Sequence, residues 1–161
     1  MTGALILLTF VTLQRAAELV IAQRNTKRLL QQGAVEVGAG HYPVMVLLHA
    51  TWLAALWWFG WQAAIALPLL ALYLLLQLFR VWILMTLGRR WTTRILTVPG
   101  EKLVTAGPYR FLRHPNYLLV ALEVPLLPLV FGLPWLALVF GLLNLAMLAW
   151  RIRIEDGALR P

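Results

Sequence analysis

Long apolar runs alternate with short polar islands along this chain, and the runs have the lengths of membrane-crossing helices. A hydrocarbon core about 30 Å thick needs about 20 apolar helical residues. The first run, about Gly3 to Ala22, meets that length. Arg15 and Glu18 interrupt it three residues apart, on one helical face, where charges pair or turn toward the protein interior. No Lys or Arg precedes the run, which argues against a cleaved signal peptide with a basic start. A polar stretch follows from Gln23 to His41, ending in GAGHYP. Its glycines break a helix, and Pro43 suits the first turn of the next. From Pro43 to Leu87 the single charge is Arg80. That length holds two spans, parted best at Gly60-Trp61-Gln62, where Trp57, Trp58, Phe59 and Trp61 cluster as interfacial aromatics do. Helix two is therefore predicted over about Pro43 to Phe59, and helix three over about Ala63 to Leu87. A long polar connection, Gly88 to Asn116, leads to two shorter apolar segments, Tyr117 to Phe131 and Pro134 to Trp150. About fifteen residues of helix rise about 22 Å. The pair therefore reads as a tilted hairpin or one around which the bilayer thins, and Pro125 and Pro128 are expected to kink its first arm.

The expected fold is thus an all-α polytopic membrane protein of about five spans, with the last two a short helical hairpin. Charge agrees with that count. Lys and Arg fall near the first connection, near the third, and in the tail, while the N-terminus and both tight hairpin tips have none. Five spans put these three regions on one face, which the positive-inside rule makes cytoplasmic, with the N-terminus outside. Composition points the same way: among 161 residues 61% are hydrophobic, 12% charged, and the mean hydropathy is +0.79. A soluble domain carries about 25% charged residues. The net charge of +8 is accounted for by membrane-flanking loops, not by nucleic acid. With no cysteine, disulfides, thiolate nucleophiles and Cys-based metal sites are excluded. The length fits one domain, 1–161, with helices one to three in 1–87 and a polar-rich core in 88–161.

The chemistry lies in two islands. The first, GPYRFLRHPNY from Gly107 to Tyr117, offers a glycine for close backbone approach, the flat ring and hydroxyl of Tyr109, and a proline-fixed corner at His114-Pro115. Arg110 and Arg113 in it can hold a carboxylate. The second, RIRIED from Arg151 to Asp156, puts Arg151 and Glu155 four residues apart on one helical face. Those two can form a surface pair, or the acids can bind ribose hydroxyls or an amino group. Separated by the hairpin, the islands read as two walls of one site. Glu123, inside the apolar hairpin, is a functional-site residue on the grounds of its depth alone, and Arg80 stands near the inner end of helix three as a residue able to line the site. No G-x-G-x-x-G follows a strand, so a Rossmann nucleotide site is not supported. His41, His49 and His114 lack metal-ligand spacing, and His49 reads as a satisfied core histidine.

GPYRFLRHPNY followed by a hairpin and RIRIED resembles the isoprenylcysteine carboxyl methyltransferase family of membrane enzymes. The family pattern is similar to G-P-Y-R…R-H-P-x-Y, then R-I-x-x-E-E; Asp156 replaces the second Glu here, keeping the charge but shortening the reach. The likeness covers about Arg80 to Leu159. It implies S-adenosylmethionine as cofactor, bound without a Rossmann fold and surrounded by Lys102, Leu103, Val104, Gly107, Tyr109, His114, Pro115 and Tyr117, with Arg151 and Glu155 closing the other side. It also implies a lipophilic substrate reaching the pocket from the bilayer. Within the family, LGRRWTTRI, PGEKLV and GAVEVGAGHYP resemble the bacterial branch that methylates phenolic lipids, alkylresorcinols and alkylpyrones. That would put the protein in a bacterial inner or plasma membrane, with a long-chain hydroxyl as acceptor.

The implied reaction is in-line displacement at a sulfonium methyl, in which the protein mainly aligns and desolvates. A carboxylate or enol needs little help, but a phenol with a pKa near ~10 needs a base. Glu123 is the first expectation for that base and His41 the second; Arg80 or Arg151 would stabilise the developing oxyanion. Glu123 paired with an arginine is the structural alternative. Two other readings remain: a phospholipid N-methyltransferase, or a reductase using a nicotinamide cofactor, on a related helical scaffold; and a non-enzymatic membrane transport or assembly protein. The reductase is disfavoured because little chain is left to hold a dinucleotide.

Overall fold

The computed structural model describes residues 2–100 and 103–159. Among the described residues five α-helices form the body: α1 (Thr2–Gln31), α2 (His41–Gly60), α3 (Leu67–Leu87), α4 (Pro115–Val130) and α5 (Pro134–Leu159). Four of them are long and apolar enough to cross a membrane, and α4 is a shorter apolar helix. The protein is an all-α integral membrane protein of the expected class.

Three boundaries differ from the sequence reading, each for a local reason. Helix α1 does not end at Ala22; it runs on to Gln31, because nothing between Gln23 and Gln32 breaks a helix before Gly33, and Leu29 is buried. Helix α3 starts at Leu67, not Ala63, with Pro68 in its first turn. Helix α5 continues beyond Trp150 through RIRIED to Leu159, so the hairpin's second arm is not short. At 26 residues it rises about 39 Å, enough to cross the hydrocarbon and project past it.

Helix α4 packs between α3 and α5, and α2 packs against α5 and α1. One end of the bundle is dry. There Leu8, Val11, Trp52, Leu56, Tyr73, Leu127 and Val130 form the core, and Ala66 N–H donates to Val130 O at 2.9 Å, tying the two tight hairpin tips together. Pro128 has no N–H for the carbonyl of Val124 one turn back. The buried Trp52 Nε1–H takes that place, donating to Val124 O at 3.1 Å and joining α2 to α4.

The other end is polar. A two-residue antiparallel ribbon, β1 (Val35–Glu36) with β2 (Leu96–Thr97), pairs Val35 with Thr97 and Glu36 with Leu96. Arg94 Nη1 reaches both Glu36 oxygens, at 2.7 and 2.8 Å, and lies over the Tyr42 ring. The projecting part of α1 holds the next loop: Asn25 Nδ2 donates to Gly88 O and Trp91 O, at 3.2 and 2.8 Å. Gly38, at φ +64, turns the chain into α2 beneath α5, where a Cβ would meet Ile154 Cγ2 at 2.6 Å.

Candidate active site

The first island folds as a tight turn followed by a helix start. Gly107 has φ +54, and a Cβ there would collide with Thr86 Oγ1, so only glycine lets the Gly107–Arg110 turn lie against α3. Pro108 is buried beneath that turn. His114, preceding Pro115, is steered out of helical geometry to φ −129 and ψ 63. Its ring stacks on Tyr117, with centroids 5.4 Å apart and planes inclined by 22°.

The second island meets it. Tyr117 donates its hydroxyl hydrogen to Glu155 Oε2. His114 Nδ1 lies 4.0 Å from Glu155 Oε1, and His114 Nε2 lies 3.4 Å from Asp156 Oδ1, which also faces Arg113 Nη2 at 3.0 Å. One turn back on α5, buried Arg151 sits 5.6 Å from the Tyr117 ring centre. Its Nη1 donates to His41 Nε2 and Met45 Sδ, both at 2.9 Å, and its Nη2 to Thr93 O at 3.1 Å. Burial and the neighbouring Glu155 carboxylate push the Tyr109 phenol up to about 12, so it remains a neutral donor.

Between the islands lies a cavity of about 480 Å³, within the size range of small-molecule sites. Leu103, Val104, Tyr109, His114, Tyr117, Arg151 and Glu155 line it. Gly107 and Pro115 do not; they shape the backbone that carries the lining. Lys102 lies outside the described residues. The sequence reading missed a whole wall, Trp91 to Val98 with Arg94, together with Leu29 of α1. The signal was present in TTRILTV, whose β-branched residues mark a strand.

The catalytic expectations divide. Arg151 is in the cavity wall, and His41 stands directly behind it. Glu123 and Arg80 do not line the cavity; they belong to a separate polar cluster deeper in the bundle. Glu123 Oε1 accepts from Gln77 Nε2 at 2.5 Å and Arg80 Nε at 3.1 Å, while Oε2 accepts from Arg15 Nη2 at 2.9 Å and from Arg80 Nη2. Glu18 pairs with Arg80 at 2.8 Å and Arg15 at 3.2 Å. Two arginines and two glutamates so cancel their charges at a depth where isolated charge is costly. The Arg15–Glu18 pair expected from spacing is present, and the structural alternative for Glu123 describes its surroundings. His41 is likewise engaged on both ring nitrogens, by Gly38 O and by Arg151.

Fold and site define a polytopic membrane protein with a polar cavity built at one end of its bundle by the third connection and the tail. Residues 69–161 match the model of the isoprenylcysteine carboxyl methyltransferase (ICMT) family. The chain belongs to that family, whose members are membrane methyltransferases. It is also similar to a Bacillus subtilis (strain 168) protein described as "Uncharacterized protein YpbQ", 36% identical over 168 residues that cover 96% of this chain and 95% of that one. No solved structure matches the chain significantly.

Proposed function

We propose that this protein is an S-adenosylmethionine-dependent O-methyltransferase acting on the hydroxyl or carboxyl of a membrane lipid. A phenolic polyketide lipid is the favoured acceptor, and an isoprenylcysteine-like lipid the second. The observation that carries the reading is the Tyr117–Glu155 bond, which closes the two polar islands on one cavity. The residues fit the cofactor on a second count: His114 lines the cavity, and its buried Nε2 is aligned in no hydrogen bond, an arrangement a polar ligand would complete. Glu155 would accept from a ribose hydroxyl or an amino group. Arg151 would hold a carboxylate, and the faces of Tyr109, Tyr117 and His114 would pack on the base or sulfonium. When bound, the cofactor supplies an electrophilic methyl group; the chain supplies alignment and exclusion of water.

Residues 88–161 act in this reading as the cofactor-binding core of a single domain, braced by Leu29 of α1 and His41 of α2. The positive-inside rule applied to the basic loops supports a cavity at the cytoplasmic face and an N-terminus outside. Calorimetry of the detergent-purified protein with S-adenosylmethionine tests the site, and no binding would refute it. Incubation with labelled cofactor and a lipid extract, read by mass spectrometry, tests the acceptor. Label on an amine headgroup instead of an oxygen would favour a phospholipid N-methyltransferase.

A further inference from the structure

We infer that His49 is the general base of the methyl transfer, a role that rests on the lipid O-methyltransferase reading. A base for a phenolic hydroxyl needs a free lone pair at the inner face of the bundle. Neither residue expected from the sequence has one. Both oxygens of Glu123 are occupied by Gln77, Arg15 and Arg80. His41 donates through Nδ1 to Gly38 O, and its Nε2 lone pair accepts from Arg151.

His49 differs from both. It lies two turns beyond His41 on α2, on the same face as Met45 and Trp52. Its Nδ1 is 2.8 Å from Met45 O. A carbonyl can only accept, so Nδ1 carries the hydrogen and Nε2 is left as a bare lone pair. The ring is half-buried, and none of the described protein groups bonds to Nε2. Met45, one turn toward the polar end, touches Arg151 in the cavity wall; His49 does not itself line that cavity and stands one turn further along the same face of α2, toward the apolar end. The charges of Arg15 from α1, Arg80 from α3 and Arg151 from α5 all act on this ring. Arg15 and Arg80 are already paired with Glu18 and Glu123, so Arg151 is the one whose charge would favour a phenolate formed beside the ring.

The step balances without further reactants. The acceptor O–H bond breaks with its proton passing to His49 Nε2. The new O–CH3 bond forms as the S–CH3 bond breaks, and that electron pair stays on sulfur, leaving S-adenosylhomocysteine. The imidazolium then releases its proton to water.

The test compares wild type with His49→Gln and His49→Ala, using an alkylresorcinol and a more acidic enolic alkylpyrone. For the phenol, His49→Gln is expected to lower kcat about 100-fold, within the usual range for a removed general base, with unchanged S-adenosylmethionine affinity by calorimetry. The pyrone, which arrives largely ionised, should lose less than about 5-fold in the same variant, a split that a purely structural role would not produce. The acid limb of the wild-type pH–rate profile should vanish in His49→Gln. An independent readout is the ¹⁵N spectrum of histidine-labelled protein in nanodiscs, where His49 should show the Nδ1–H tautomer. Equal losses on phenol and pyrone, an unchanged phenol rate, or an Nε2–H tautomer would each overturn the assignment. If wild type binds cofactor but methylates neither lipid, the acceptor reading itself falls, and His49 with it.

Discussion

Arg151 and His41, residues of different helices, meet through a 2.9 Å bond from the guanidinium to imidazole Nε2. The imidazole is held from behind by the Gly38 carbonyl, so its hydrogen sits on Nδ1 and its lone pair faces the arginine. A cation that would otherwise swing on a flexible stem is fixed in the cavity wall, with Thr93 O and Met45 Sδ as further partners. His41 is therefore a positioning residue for Arg151.

His41→Ala should lower turnover by roughly 10–100-fold, since a hydrogen bond to a charged group contributes about 1.5–3 kcal/mol. His41→Gln, whose amide oxygen can accept from Arg151, should recover part of that loss. Initial rates and cofactor titrations on both variants check this; equal activity in Ala and Gln would remove the positioning role.

Tyr117→Phe deletes the hydroxyl that bonds Glu155 while leaving the ring stacked beneath His114. Cofactor affinity should fall about 10-fold, the lower end for a bond to a carboxylate. Glu155→Gln should cost more, because it removes the charge as well. Calorimetry on the two variants ranks them, and wild-type affinity in both would separate this pair of residues from the ligand.

Much of this site could be read from the chain because its residues are close in sequence. GPYRFLRHPNY and RIRIED each fold locally, and their meeting followed from one hairpin of known length. Arg151 and Glu155 share a face because α5 continues through the tail, a continuation that the end of the apolar run at Trp150 concealed. The Trp91 to Val98 wall was missed because a two-residue ribbon pairs segments some 60 residues apart, and no local periodicity reports its partner. Glu123 was misplaced for a related reason: depth marks it as unusual, but its partners Arg15, Gln77 and Arg80 come from two other helices. Sequence spacing cannot tell a base awaiting a substrate from an acid already surrounded by donors.

Gly107→Ala should disorganise the cavity without touching its lining. The residue would be strained at φ +54, and its Cβ would run into Thr86 Oγ1. Thr86→Gly alone cannot relieve the backbone strain, so the double variant Gly107→Ala/Thr86→Gly should remain impaired in cofactor binding. Full recovery in the double variant would show that the collision alone matters.

Tyr109 gives an alkaline signature. Its phenol is held at about 12 in the folded protein, against an ordinary value of 10.0. The unfolded chain therefore ionises first, and the stability that this group contributes is intact below about pH 10 and is lost as pH rises toward 12. Thermal unfolding across that window should fall less steeply for Tyr109→Phe than for wild type. Parallel curves would show that Tyr109 is not the group responsible.

The deep cluster should act on stability and not on cofactor binding. Glu123→Gln would leave Arg15 and Arg80 facing an uncharged amide in a fully enclosed place, and breaking a buried pair on one side typically costs about 3–5 kcal/mol. Removing the opposing charge should restore much of that, since a neutral pair carries no stranded ion. Glu123→Gln/Arg80→Gln should therefore be more stable than Glu123→Gln alone, although it still loses the bonds that tie α3 to α4. In that double variant Arg15 and Glu18 remain as a neutral pair; a triple variant with Glu18→Gln would strand Arg15 and should be less stable than the double. The measurement is thermal unfolding in one detergent at matched protein concentration, with cofactor titration on each folded variant. A Glu123→Gln protein as stable as wild type would mean that the two arginines find other counter-charges. If Glu123→Gln instead kept its stability and lost methyl transfer, Glu123 would return as a member of the catalytic machinery.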